Sequence, residues 1–468
     1  MERLTGLDAS FLYFETPTQH QHVCATVVLD PSAMPGGYSF DKIKDRISER
    51  LHLVPPFRRR LARVPLNLDN PVWVDDENFD LDYHMRRIGC PAPGSEEVLA
   101  ELTGDIAGRK LDRTRPLWEL YVVEGLEHGH FGMIFKMHHC TIDGVSGANL
   151  LVHLLDLEPE PSQPPRADDW HPHRHPSELR MLAQGVLQRL RRPMTIAKVI
   201  PQTIGSVAGL ARAVRQPGPG MPAPLTAPRT SFNTTLTPHR KVAFTRVSLD
   251  EVKHIKNTFG TTVNDVVLAV TSGALRRYLD ARGELPEKSL IAVCPISVHS
   301  EEDDASSPNR VSAMFNSLYS TIEDPVERLQ RISEATKKAK KEHRAIGAKM
   351  LQNWAEFAAP TTFSLAVRLY SSLKLAEKHP VVHNLVISNV PGPPVSLYFA
   401  GARTVAFYPL GPVFEGATLN ITVVSYQDQL QWGFISCRET MPGLWDLAGA
   451  VHESLAELRK VAEAVATP

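Results

Sequence analysis

Between Glu158 and Pro238 the chain carries 14 of its 37 prolines within 81 residues, about three times the density found elsewhere. Proline fixes φ and removes a donor, so PEPSQPP (159–165), HPHRHP (171–176) and PGPGMPAP (217–224) punctuate the chain rather than build elements. The sequence therefore reads as two halves joined by a crossover: residues 1–157, a proline-rich and partly helical linker over 158–238, and residues 239–468. A length of 468 residues is compatible with two or three domains. Within the linker, Leu179, Leu182, Val186 and Leu190 recur at helical spacing with basic residues interleaved, which predicts a helix inside Ser177–Ala213. Such a stretch serves either as a solvated linker or as a helix docked on a domain or a lipid surface.

Both halves mix the two periods. Gln21–Leu29 and Leu120–Glu124 read as strands, and Asp41–Leu51 and Glu96–Arg109 as helices. In the second half a helix starting near Thr262 sets Val263, Val266, Val270, Ala274 and Tyr278 along one face. Strands follow at Leu290–Cys294, Val382–Ser388, Leu419–Ser425 and Gln431–Ser436. Strands interleaved with helices in both halves predict an α/β fold.

The segment Phe131–Leu155 is the most informative for chemistry. Phe131, Met133, Phe135 and Met137 alternate, so a strand through them would carry His139 on the same face and turn Lys136 and His138 the other way. After Asp143-Gly144, Ala148, Leu151, Leu154 and Leu155 recur at helical spacing, so the histidines are expected to end a strand and the Asp-Gly to turn into a helix. Imidazole, with an unperturbed pKa of about 6.5, can take a proton from a hydroxyl or thiol at neutral pH. A carboxylate four residues on could bond the ring or brace the loop against a distant arginine. Three other readings compete. His138, His139 and Cys140 could ligate a metal, but three consecutive strand residues alternate faces and do not converge. His139 could be a satisfied core histidine. A serine hydrolase would need a G-x-S-x-G elbow, and Gly144-Val145-Ser146-Gly147 has the wrong spacing.

Composition narrows the partners. With 51 Lys+Arg against 52 Asp+Glu there is no overall electrostatic case for nucleic acid. Cys24, Cys90, Cys140, Cys294 and Cys437 are scattered without a CxxC pair, which suggests neither a disulfide framework nor a zinc ribbon and fits a reducing, intracellular setting. The N-terminus MERLTGLDASFLYFE does not read as a signal peptide, and apolar runs such as Val266–Val270 fall well short of the roughly 20 residues that span a bilayer. The expectation is a protein that is soluble or at most peripheral.

Six segments in order carry a resemblance. Leu7-Asp8-Ala9-Ser10-Phe11-Leu12, Pro116-Leu117-Trp118-Glu119, His138–Gly144 as HHxxxDG, Thr262-Val263-Asn264-Asp265-Val266, Ser388-Asn389-Val390-Pro391-Gly392-Pro393, and Leu419-Asn420-Ile421 with Ser425-Tyr426 span nearly the whole chain. Together they resemble the bacterial wax ester synthase/diacylglycerol acyltransferase family, within the HHxxxDG acyl-CoA-dependent acyltransferases and condensation domains. That resemblance implies two subdomains like chloramphenicol acetyltransferase, a crossover linker and a central tunnel between the subdomains. Acyl-CoA would enter from one side as a substrate, with no resident cofactor and no metal, and diacylglycerol or a long-chain alcohol from the other. It implies His139 as general base beside His138 and Gly144, and Asp143 as a brace paired with an arginine of VPPFRRRL, Arg58 first and Arg60 second. Asn264 would aim its amide at the reacting oxygen or cap its helix. Pro116, Leu117 and Trp118 would shape the tunnel wall or pack in the core. The SNVPGP segment is expected to be architectural. At Cys437-Arg438-Glu439 the chain departs from the family pattern, which bears on acceptor specificity.

The implied activity is transfer of a long-chain acyl group from CoA to a lipid hydroxyl, giving triacylglycerol or wax ester, in a cytoplasmic protein peripherally associated with membrane or lipid droplets. Two alternatives keep the fold: a carrier-protein donor or another acceptor, and a non-catalytic lipid carrier. Retention of His139, Asp143 and Asn264 together weighs against the carrier, which needs apolar lining and no base.

Overall fold

The computed structural model describes residues 2–141, 154–160, 171–172, 177–187, 222, 225–297, 311–346 and 360–466. The chain forms two compact units. One comprises Met1–Thr203, Lys349–Leu369 and Val395–Phe407; the other comprises Ile204–Ala348, Tyr370–Pro394 and Tyr408–Pro468.

In the first unit, β1 (Glu2–Arg3) precedes helix α1 (Gly6–Tyr13), whose N-cap Thr5 accepts the Asp8 N–H. Strand β2 (His22–Asp30) and helix α2 (Phe40–Arg50) follow, then β3 (Arg59–Ala62), β4 (Val72–Asp75) and β5 (Met85–Gly89). Helix α3 (Glu96–Ala107) leads to β6 (Trp118–Glu124) and β7 (Phe131–His138). The main sheet runs β5-β6-β7-β2-β13-β12, where β12 (Tyr398–Phe399) and β13 (Ala402–Leu410) come from late in the chain. β6, β7 and β2 are antiparallel neighbours and β5 is parallel to β6. Period 3.6 puts Leu99, Ala100, Thr103, Ile106 and Ala107 of α3 on its buried side, and the Thr103 hydroxyl meets that of Thr26 on β2 at 3.0 Å. Asp156 exchanges backbone hydrogen bonds with Tyr398 at 2.8 Å each way, and its buried carboxylate takes both Arg46 and Arg50 of α2. This pairing secures the late strands in the first unit.

A smaller sheet, β1-β4-β3, carries the helical stretch of the linker at 178–187. Residues 178–187 are helical, and Met181 packs with Val64, Val72 and Val74. Gly185 lies so close that a Cβ there would meet Val64 and Leu68 at 3.2 and 3.3 Å. The buried side is therefore Met181 and Gly185. Leu179 and Val186, expected on the apolar face, stand exposed with Leu187. The sequence pattern marked a helix and misplaced its docking face, because a glycine that admits close approach carries no hydrophobic signal. Leu190 and the remainder of the expected helix lie outside the described residues.

The second unit begins with β8 (Arg240–Ser248), helix α4 (Leu249–Thr258) and helix α5 (Val263–Asp280). Strands β9 (Ile291–Ser297) and β10 (Val311–Ser317), helix α6 (Pro325–Ile346), strands β11 (Leu385–Val390), β14 (Leu419–Tyr426) and β15 (Gln429–Cys437), and helix α7 (Leu444–Ala466) complete it. Its sheet runs β10-β9-β11-β14-β15-β8, parallel at β9/β11 and β11/β14 and antiparallel elsewhere. Helix α5 is buried continuously from Asp265 to Leu275, not along one face alone, because α4, α6, α7 and β11 all pack against it. Gly273 permits the close approach of α7: a Cβ there would lie 2.1 Å from the Ser454 hydroxyl. Among the described residues no helix is long and apolar enough to cross a membrane.

Candidate active site

The strand β7 ends at His138, one residue earlier than the alternation of Phe131, Met133, Phe135 and Met137 predicts, and His139–Thr141 form a tight helical turn. The last ladder bonds run from the His138 N–H to Leu117 O (3.0 Å) and from the His139 N–H to Gln21 O (2.9 Å). The Cys140 N–H then folds back onto His138 Nδ1 at 3.1 Å. One imidazole thus caps the turn that the other opens. His139 is released from strand geometry, and its ring stacks on Phe11 of α1 with centroids 3.9 Å apart and planes 23° from parallel.

His138 is fully buried. Since Nδ1 accepts a backbone N–H, the neutral ring carries its proton on Nε2, which faces Glu15 Oε1 at 3.8 Å, too far for a hydrogen bond. Burial, then the charges of Arg113, His139 and His20, hold its pKa well below the ordinary histidine value. Glu15 is itself buried, and burial raises its pKa while the ion pair with Arg113 opposes that rise. Arg113 also donates to Leu12 O at 2.8 Å, which ties the end of α1 to this cluster. Glu15 went unnoticed in the sequence reading. The signal for it was an acid closing the apolar run Phe11–Phe14, where an unpaired carboxylate would be costly.

His139 keeps partial access to solvent while its Nδ1 is buried. Burial lowers its pKa to about 4, and the hydrogen-bonding influence of its own backbone carbonyl opposes the shift. The ring is neutral throughout the physiological range, so its lone pair is available over a wider window than an unperturbed imidazole would give.

Pro116, Leu117 and Trp118 are all buried. Leu117 lies in a cluster with Leu4, Ala9, Leu12, Tyr13, Leu111 and Cys140, joined by Phe11. The LDASFL helix, the PLWE strand entry and the histidine turn thereby converge. Trp118 stacks between Phe57 (4.5 Å) and His84 (4.6 Å) and donates Nε1–H to Phe57 O at 2.9 Å. Arg58 is half-buried at the end of the turn Pro55–Arg58, where the Asp75 charge favours its cationic form against desolvation. Arg60 Nε lies 3.8 Å from Asp76 Oδ1. Asp143 and Gly144 lie outside the described residues, as does the helix expected after them from Ala148 to Leu151. Among the described residues no group of three or more His, Cys, Asp or Glu is arranged to hold a metal.

In the second unit, Thr262 is the N-cap of α5. Its hydroxyl accepts the Asp265 N–H (3.2 Å) while Asp265 Oδ2 accepts the Thr262 N–H (3.0 Å), a reciprocal capping box. Asp265 also accepts from Ser333 (3.0 Å) and Thr336 (2.7 Å) of α6. Helix capping is thus performed by Thr262 and Asp265. Asn264, two positions into the helix, instead accepts a long hydrogen bond from Asn389 Nδ2 to its Oδ1 at 3.4 Å.

The first of the two sheet-centred α/β units thus carries a paired-histidine turn at a strand end. Family profiles match over most of the chain: "Wax ester synthase/diacylglycerol acyltransferase catalytic domain" over residues 4–267 and "WS/DGAT C-terminal domain" over 308–459. A relative from Mycobacterium tuberculosis strain H37Rv, named as a diacylglycerol O-acyltransferase, is 42% identical over 461 residues, covering 98% of this chain and 90% of the relative. The solved wax ester synthase/diacylglycerol acyltransferase from Marinobacter aquaeolei VT8 superposes with a TM-score of 0.70 at 29% identity, covering 99% of this chain and 100% of that one. The first condensation domain of the CDA synthetase shares the fold with a TM-score of 0.57 at 13% identity, over 98% and 96% of the two chains. The chain belongs to the wax ester synthase/diacylglycerol acyltransferase family, and it is an O-acyltransferase of that family.

Proposed function

We propose that this acyltransferase moves a long-chain acyl group from acyl-CoA to the hydroxyl of diacylglycerol or of a long-chain alcohol, with His139 as general base. The observation that carries the reading is the division of labour at the histidine turn. His138 spends its Nδ1 on capping, and His139 remains neutral, stacked on Phe11 and partly accessible. With Nδ1 buried, Nε2 of His139 takes the proton of the acceptor hydroxyl. The oxygen attacks the thioester carbonyl, the tetrahedral oxyanion collapses, the C–S bond breaks, and the departing CoA thiolate recovers the proton from Nε2. No covalent acyl-enzyme forms, so catalysis rests on proximity, proton transfer and oxyanion stabilisation.

In the same reading, Asp143 braces the histidine loop by pairing with Arg58, and Asn264 supplies an amide to the reacting acyl group. Pro116, Leu117 and Trp118 set the shape of the acyl path from within the packed core. The name of the 42% identical relative puts diacylglycerol first among acceptors. Since that substrate resides in membranes and lipid droplets, the protein works at their surface in the cytoplasm. The exposed Leu179, Val186 and Leu187 on residues 178–187 support a lipid contact for the 170–215 region.

The test is release of free CoA from palmitoyl-CoA with diacylglycerol, hexadecanol or no acceptor, for the wild type and His139→Ala. Acceptor-dependent release that drops by about 10² to 10⁴ in the variant is expected. Activity surviving in the variant would remove His139 as base, and palmitoyl-CoA bound without turnover would point to a lipid carrier.

A further inference from the structure

Asn264 poses a problem of orientation. Its carboxamide presents an oxygen on one side and an NH₂ on the other, and a half-turn about χ2 exchanges them at little steric cost. Near a carbonyl gaining negative charge the two orientations have opposite effects: the NH₂ donates, and the oxygen repels. The backbone of Asn264 is already fixed, because the first turn of α5 is closed by the Thr262–Asp265 box and Asp265 is anchored to Ser333 and Thr336. What remains free is the flip.

Among the described residues, the side-chain contact that decides it comes from Asn389, whose Nδ2 donates to Asn264 Oδ1. Asn389 stands near the end of β11, paired through the backbone with Val423 of β14. The chain beyond it is pinned: Gly392 N–H donates to Ser425 Oγ at 3.0 Å, and a Cβ at Gly392 would fall 2.1 Å from Ser425 O. Only glycine permits that approach, which is the architectural content of the SNVPGP segment. Both asparagines are half-buried, so the NH₂ of Asn264 stays within reach of a ligand.

We propose that Asn389 is a positioning residue for the acyl transfer: it holds Asn264 Oδ1 through its own amide N–H, so that Asn264 meets the reacting acyl group as an N–H donor. This rests on the site role proposed above for Asn264. It joins two sequence motifs, the TVNDV helix start and the SNVPGP strand end, in one device.

The experiment is a double-mutant cycle on the full chain, reading kcat and the KM for palmitoyl-CoA in the CoA-release assay for Asn264→Ala, Asn389→Ala, Asn389→Asp and the pairwise combinations. Asn389→Ala is expected to lose about 10- to 100-fold in kcat with KM changed less than about threefold, the pattern of an interaction made in the transition state. Asn389→Asp, isosteric but an acceptor, draws the NH₂ of Asn264 toward itself and turns Oδ1 outward, so it is expected to fall below the alanine variant. In the Asn264→Ala background neither change at 389 lowers kcat further. Losses that multiply in the double variants, or Asn389 variants within twofold of wild type while Asn264→Ala collapses, would overturn the proposal. Full activity in Asn264→Ala would instead overturn the site role of Asn264 itself. Thermal unfolding of each variant separates loss of fold from loss of positioning. Should Asn389→Ala not fold, the isosteric Asn389→Asp and its combination with Asn264→Ala carry the same cycle.

Discussion

At the residue scale, two adjacent imidazoles of identical chemistry are given different tasks by their contacts, a hydrogen bond for one ring and aromatic stacking for the other. The Cys140 N–H fixes the tautomer of His138, and Phe11 together with burial keeps His139 neutral. The existence of this pair was legible in HHxxxDG, and the burial that sets its pKa was not, because desolvation is a property of Phe11, Cys140 and Leu117 arriving from three separate segments. The consequence is a pH profile. The neutral ring is the active form, so the rate falls only when pH drops through the folded pKa of His139, about 4. The acid limb of kcat/KM is therefore expected well below pH 6, and a limb centred near 6.5 would mean that His139 is more solvated than its surroundings indicate. Stability follows the same sign. His22 and His138 are also held below the ordinary value by burial, so between their unfolded pKa of about 6.5 and their folded values the unfolded chain binds more protons. Folding free energy contributed by these rings is complete above that window and is lost as pH falls through it. Urea midpoints measured from pH 7 to pH 5, with the rate assay at the same points, separate the two effects.

At the element scale, the helix α5 shows how a terminal motif is built for more than capping. The Asp265 carboxylate closes the N-terminus and also satisfies two hydroxyls of α6, all in a buried position. Asp265→Ala is expected to cost about 2–4 kcal/mol, since it removes the cap and strands buried hydroxyls, whereas Thr262→Ala at the exposed N-cap costs about 1 kcal/mol. Chemical denaturation of the two variants checks the ordering; equal losses would show that α6 contributes nothing through Asp265. Elements of this kind were readable where the pattern was local. Glu96–Ala107, Val263–Asp280 and Leu419–Tyr426 fall within a few residues of their expected bounds. What failed were faces set by neighbours rather than by the segment itself: the all-round burial of α5, and the linker helix that docks through Met181 and Gly185. The strand period likewise could not reveal that β7 stops at His138, because the stop is made by a side chain accepting the Cys140 N–H.

At the scale of the whole molecule, the proline-dense crossover suggested two contiguous halves, and the path of the chain is less simple. The first unit takes β12 and the start of β13 from Val395–Phe407, which sit beside β2 in its sheet. Periodicity gives the identity of a strand, and pairing across more than 370 residues of sequence, as between β2 and β13, lies beyond any local pattern. This arrangement makes a definite demand on any attempt to divide the protein. A fragment of residues 1–238 would expose the nine-residue strand His22–Asp30 as a sheet edge, rich in Val, Ala and Leu, and would leave Asp156 without its backbone partner Tyr398. Unprotected apolar edges pair with other chains, so the fragment is expected to aggregate or to elute as soluble oligomers in size-exclusion chromatography. Co-expression with residues 239–468 supplies β12 and β13 in trans and is expected to recover a soluble complex with acyltransferase activity. A monomeric 1–238 fragment with a cooperative unfolding transition would show that the late strands are dispensable to the first unit. The buried Arg46–Asp156–Arg50 cluster would then have to hold without the Tyr398 pairing that now aligns it.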